Sequence, residues 1–272
     1  MSDLSECKLR RQFPNMPHGW KFQAFILILS VLILLMPGLK GFPFPSTNAQ
    51  YSDLATTHFP NAVFIHQSLF VDKQIPLWSP LLYSGYPFFA HPLSGLWYPP
   101  GWLAWFFPTP ACFNLLVIIH ILWGSWGMVN YLKSLGFSMP TVWFGAFGFA
   151  LMPKIYAHYG AGHLTLIYAI VWLPWLLWSV RSEKGRFSWL SSLFWALTFL
   201  ADVRWGVYAG LMWVAYYFYT RWLSLDYLRF HNIFQSAALF VLKGLVALGL
   251  TAPFLIPLLE LTGQSNRTDL GL

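Results

Sequence analysis

Charge is what this sequence has least of. Sixteen bases and nine acids make up 9% of 272 residues, against roughly 25% in soluble domains. So few charged groups cannot clothe the surface of a soluble fold this size, and that class is excluded. Disorder is excluded too, because disordered segments are poor in apolar and aromatic residues, and here these reach 57% and 20%. There are two cysteines. Cys7 and Cys112 fall on opposite sides of the first predicted span, so they form no internal disulfide. No glycine-rich phosphate loop, zinc-type cysteine pair or nucleic-acid motif occurs. The net charge of +7 is spread in short groups between apolar runs, which argues against nucleic acid as a partner. The absences leave a lipid bilayer as the partner of this chain.

Crossing about 30 Å of hydrocarbon takes roughly 20 apolar residues. The apolar runs predict an all-α integral membrane protein with about seven transmembrane helices, at 22–39, 113–132, 141–157, 163–180, 188–201, 206–221 and 234–257. The organisation reads as a tail (1–21), a first span (22–39), an outer-face loop (40–112), a bundle of about six spans (113–257) and an outer-face segment (258–272). No small-residue cleavage site follows the first span; Lys40-Gly41-Phe42-Pro43 does, so it reads as uncleaved. Lys8, Arg10, Arg11, Lys21, Lys133, Arg181, Lys184, Arg186, Arg221 and Arg229 then fall inside. Lys40, Lys73, Lys154, Arg204 and Arg267 fall outside, with Lys243 within a span. That bias predicts a multi-pass protein of the cell membrane with a cytoplasmic N-terminus. Residues 96–107 are apolar but short and broken by Pro99-Pro100, which suits the interface better than a span.

The outer loop is too long and too aromatic to be a plain connection. A helix is predicted from Leu54 to about Gln74, with Phe59, Val63 and Phe70 on one face. Pro76 ends it. The proline- and aromatic-rich stretch that follows is expected to fold back onto the membrane surface.

Several short pieces occur in order along the chain: Asp53 after the first span, Pro76-Leu77-Trp78-Ser79-Pro80, Gly85-Tyr86-Pro87-Phe88 and Ala90-His91-Pro92. Then come Gly162-His163 leading into Ala169-Ile170-Val171-Trp172-Leu173-Pro174, and Pro257-Leu258-Leu259-Glu260-Leu261 with Ser265-Asn266-Arg267. In this order the chain resembles the YfhO-like bacterial membrane proteins of the GT-C glycosyltransferase superfamily over most of residues 45–270. Two departures stand out. Ala201-Asp202-Val203-Arg204-Trp205 replaces a Gly-His-Pro-Gln-like turn, and family members are usually longer, so the chain resembles their N-terminal part only.

The resemblance implies a GT-C-like fold and sugar transfer from a polyprenyl-phosphate donor to a cell-envelope glycan or polymer acceptor at the outer face. It implies that Asp53 takes the acceptor's proton, or in some relatives holds a divalent metal. His91 and His163 would support the substrate, and Arg204 and Arg267 would contact the phosphate. Each residue has a plainer reading. Ser52-Asp53 before a helix is a good N-cap, and Asp202 and Arg204 can neutralise one another at membrane depth. Five histidines (His58, His66, His91, His158 and His163) gather on the predicted outer face, yet none forms a pair at metal-ligand spacing backed by a third ligand. The aromatics Trp97, Tyr98, Trp102, Trp105, Phe106 and Phe107 fit an interfacial belt as well as a substrate path. Alternative functions are an inactive or accessory subunit, or a transporter of lipid-linked substrate. Transport calls for polar groups through the midplane, which Lys243 alone provides.

Overall fold

The computed structural model describes residues 20–35, 52–82, 84–182, 188–223 and 230–264, and every named element in them is helical. Three stretches are long and apolar enough to cross a membrane. They are α4 (Pro110–Ser134), the pair α7 (Leu164–Ile170) and α8 (Leu173–Ser182), and residues Ile233–Gly263 of α11 (Phe230–Gly263). That is the make-up of a multi-pass membrane protein. Two more helices, α1 (Trp20–Leu35) and α9 (Leu190–Ala201), are apolar but shorter, and α10 (Val203–Trp222) runs back from the end of α9.

Local chemistry sets the boundaries. Thr109 caps α4 by accepting from the Cys112 amide at 3.3 Å, with Pro110 in the first turn where no amide is needed. Pro174 has no amide to offer the Ile170 carbonyl, so α7 and α8 meet at a turn over 171–172. The predicted span 141–157 is two helices, α5 (Met139–Ala150) and α6 (Pro153–Ala161). Proline explains the break: Met152 precedes Pro153 and takes an extended backbone, ψ 118°. Residues 96–107 form a 3-10 turn, Pro99–Gly101, and the four-residue α3 (Leu103–Phe106), far too short to cross.

Cross-helix bonds give the directions. Trp175 donates to the Trp123 carbonyl and Arg181 to that of Ser134, so α8 runs parallel to α4. Ser192 donates to the Lys243 carbonyl while Phe199 packs on Phe254, so α11 runs parallel to α9. Trp195 donates to the Gly206 carbonyl across the tight α9–α10 turn. One end of the bundle therefore carries His163, Thr165 and Asp202. The other carries Ser134, Arg181, Ser188 and the start of α11. Close approach of α4 and α8 depends on small residues: a Cβ on Gly127 would lie 2.7 Å from the Trp175 ring.

The long loop between α1 and α4 sits on the first of these ends. Residues Leu54–Val71 form one continuous helical stretch, with α2 (Phe59–His66) at its centre and a wider turn on each side. Its buried face is Leu54, Ala62, Ile65 and Ser68. Val63 and Phe70 of the expected face stay exposed, because the later loop segment folds under the opposite side. There Ile65, Phe88 and Leu96 make a small second core. Tyr98 then pins the loop to the bundle. Its hydroxyl meets His120 Nε2 at 2.8 Å and receives the Trp172 indole N–H at 2.8 Å. His120 Nδ1 lies 2.7 Å from the Leu116 carbonyl and must donate there, so Nε2 accepts from Tyr98.

Candidate functional site

The helix that begins at Leu54 resolves the two readings of Ser52-Asp53. Ser52 Oγ accepts from the Ala55 amide at 3.2 Å, whereas the Asp53 side chain makes no capping bond. The hydroxyl does the capping and leaves the carboxylate to turn outward. Asp53 Oδ2 lies 3.4 Å from His163 Nε2, with both side chains about half exposed.

Gly162 brings the two together. It ends α6 in the left-handed region at φ +81°, where a side chain is strained, and a Cβ there would sit 2.5 Å from the Leu54 amide and 2.9 Å from that of Asp53. The reversal carries His163 to the start of α7 and back toward α6, where its Nδ1 meets His158 Nδ1 at 2.9 Å. One proton must lie between two nitrogens so placed. With Nε2–H of a neutral His163 directed at the Asp53 carboxylate, Nδ1 of His163 accepts and His158 donates, which leaves His158 Nε2 with a bare lone pair. Sequence spacing alone left this pair five residues apart with no partnership.

Asp202 forms the second acidic corner. Its side chain is almost wholly buried and caps α10 by accepting from the Arg204 and Trp205 amides. It also accepts from Thr165 Oγ1 at 3.0 Å and from the Arg204 guanidinium at 2.9 Å. Burial pushes this carboxyl up, but the Arg204, Trp205 and Thr165 hydrogen bonds outweigh it and leave it below the ordinary carboxylate range. Asp202 and Arg204 do pair, as the plainer reading held. The Arg204 side chain nevertheless remains three-quarters exposed and also feels the Asp53 carboxylate.

His58 interacts electrostatically with Asp53, His163, His91 and Asp202. Burial pulls its imidazole down to about 4, against the opposing pull of Asp53, while His163, His91 and Asp202 also act on it. It is therefore neutral at physiological pH. A signal for it existed: Leu54, His58, Ala62 and Ile65 follow helical spacing, which puts the histidine on the buried face. His91 packs edge-on against Tyr86 at 5.4 Å, and its Nδ1 is buried without a partner. Burial lowers its pKa as well. Arg267 lies outside the described residues, as do Asn266 and Tyr51.

A cavity of about 60 Å³ opens beneath His58, lined also by Ser94, Tyr98, Thr165 and Tyr168. Small-molecule sites run to several hundred Å³, so it takes a hydroxymethyl-sized group and not a sugar ring. Among the described residues, no three His, Cys, Asp or Glu side chains converge as a metal ligand set. Of the sequence candidates, Asp53 pairs with His163 and Arg204 with Asp202, while His91 packs on Tyr86. The cluster offers a carboxylate backed by two imidazoles, a neutral buried imidazole and an exposed guanidinium. That is equipment for moving a proton beside an anion. No family model, curated protein or solved structure matches the chain.

Proposed function

We propose that this chain is a membrane glycosyltransferase of the GT-C type, moving a sugar from a polyprenyl-phosphate donor to a cell-envelope acceptor on the outer membrane face. The observation that carries the reading is the division of labour at Ser52-Asp53. The serine caps the helix, and the aspartate is held by the Gly162 turn against His163 beside an exposed arginine. In the step proposed, the acceptor O–H bond breaks as its proton passes to Asp53 and its oxygen attacks the anomeric carbon. The bond from that carbon to phosphate breaks, and the charge goes to the departing polyprenyl phosphate. Arg204 and Arg267 hold that phosphate, while His163 and His91 support the acid and the acceptor. The seven-span arrangement in the cell membrane, N-terminus inside, belongs to the same reading and is supported by the lysine and arginine asymmetry.

The test is sugar release by the protein in lipid nanodiscs, offered a panel of polyprenyl-phosphate sugars with and without divalent metal. Wild type turns over. Asp53→Asn loses turnover by roughly two to four orders of magnitude, the contribution of a general base, and melts like wild type. Unchanged turnover in Asp53→Asn removes the role given to that residue. The small cavity favours a second reading, an accessory or inactive subunit. Absence of turnover and of donor-induced stabilisation in both proteins would select it.

A further inference from the structure

From Gln74 to Leu132 the sequence contains no Asp, Glu, Lys or Arg. Within that stretch the outer loop folds into a narrow hairpin. Ser79 and Tyr86 exchange amide–carbonyl bonds at 2.9 and 3.0 Å, and Gly85 donates to the Leu82 carbonyl at 2.8 Å. Gly85 stands at φ +107°, and a Cβ on it would lie 2.4 Å from the Trp78 indole, so the ring is clamped on the turn. Ile75, Leu77, Trp78, Leu81 and Leu82 are each more than half exposed, while Ser79 is buried. The exposed described positions are apolar except for Ser84, while Ser79 is turned inward, unlike a water-facing turn.

Its backbone is suited to the same surroundings. Pro76, Pro80 and Pro87 have no amide to satisfy, and the amides of Leu77, Ser79, Leu81, Gly85 and Tyr86 all find acceptors within the segment. Unsatisfied backbone groups are what keep irregular chain out of lipid, and here these five amides are already paired. The base of the hairpin carries Asp72 and Lys73, whereas the tip carries no charge. The next turn, Phe88–Ala90, is bonded to the hairpin through the Phe89 amide and the Leu77 carbonyl and packs against α11. Helix α11 is the bilayer-facing wall: 22% of its apolar window is buried inside the protein, against 67% for α4. The hairpin thus continues a lipid-facing surface.

We propose that the hairpin closed by Ser79 and Tyr86 is a finger that inserts Trp78, Leu81 and Leu82 into the interfacial layer of the bilayer beside α11, anchoring the loop over the cluster at Asp53. Trp suits that depth because its ring is apolar and its N–H polar. The anchoring does not depend on the glycosyltransferase reading.

The test uses the full chain with Cys7→Ala and Cys112→Ala, in vesicles of equimolar phosphatidylcholine and phosphatidylglycerol. An environment-sensitive fluorophore is placed at Leu82→Cys, and in a second protein at Gln74→Cys. The expected result is blue-shifted emission at 82, with several-fold stronger quenching by lipids carrying a nitroxide high on the acyl chain than at 74, and iodide quenching in the opposite order. Leu81→Cys gives the same reading if the label at 82 disturbs the turn. Free access of iodide at both tip positions overturns the proposal. So does protection from both quenchers, which would mean a protein partner or a second copy covers the tip.

Discussion

At the end of the bundle where Arg181 and Lys243 lie, cations are tied to main chain and aromatic faces. Arg181 donates to the Ser134 carbonyl, Lys243 Nζ to the Ser188 carbonyl at 2.8 Å, and the Arg221 guanidinium sits 5.1 Å from the Tyr217 ring centroid. At the opposite end two acids, Asp53 and Asp202, answer to an imidazole and to an arginine. Asp53 faces His163, His163 faces His158, and Asp202 holds an arginine whose far side is open. Carbonyls and rings fix a cation where it stands. An acid beside an imidazole can exchange a proton. The first end holds its cations in place, and the second sets an acid beside an imidazole.

The sharpest way to break that contrast is Gly162→Ala. The new methyl would press on the Asp53 and Leu54 amides, and alanine would also have to adopt a positive φ. Backbone strain and overpacking each cost roughly 1–3 kcal/mol. The thermal midpoint falls, and the Asp53–His163 contact opens with loss of turnover. A variant that melts and turns over like wild type would show that the glycine does not hold the acid in place.

Next in size is the acid response of His58. Its folded pKa of about 4 lies below the ordinary 6.5, so the unfolded chain takes up the proton first as pH falls. The stability it contributes is complete above pH 6.5 and is lost progressively down to about pH 4. The loss is at most about 3–4 kcal/mol, from the difference between a folded value of about 4 and the ordinary 6.5. Thermal melts across that window should drop steeply for wild type and less steeply for His58→Gln. Parallel curves for the two proteins would deny His58 its burial.

How much of this was legible beforehand follows from which forces are local. The three long spans show in the sequence because lipid demands continuous apolar length, and α4, α7–α8 and α11 lie close to where the runs placed them. The break in 141–157 was also written there, in Pro153, but a composition window reads through a proline. Asp53 and His163 were singled out by order along the chain, and Arg204 by its tight turn with Asp202. The links among them were not, because they depend on a glycine reversal and on a loop folding under a helix. The expected face of the loop helix was chosen by its large side chains, Phe59, Val63 and Phe70. The protein buries smaller Ala62 and Ser68 instead, because Phe88 and Leu96 arrive from that side.

A smaller effect tests the quiet end. Lys243→Met keeps the stem's packing and removes the ammonium that serves the Ser188 carbonyl. Losing that bond costs about 1–3 kcal/mol where the carbonyl is left without a partner. Turnover by the remaining folded protein is unchanged, because the reacting groups lie at the other end. Altered turnover per folded molecule would mean that the two ends are coupled, and the division between them would fail.

The smallest expected stability change is the most informative. In Arg204→Gln, Asp202 keeps the amides of residues 204 and 205 and the Thr165 hydroxyl, so the buried carboxylate remains satisfied. The guanidinium it loses is three-quarters exposed, and such pairs are worth less than about 1 kcal/mol after solvent screening. The melt should barely move. If the arginine is there for a phosphate, donor-induced stabilisation and its salt dependence both weaken, since a planar two-pronged cation is replaced by a neutral amide. If the variant instead melts as far below wild type as Lys243→Met does, with donor response intact, Arg204 is a strut like the cations at the far end. The cluster would then have lost its exposed guanidinium as an anion contact, and the accessory reading would gain what the enzyme reading gave up.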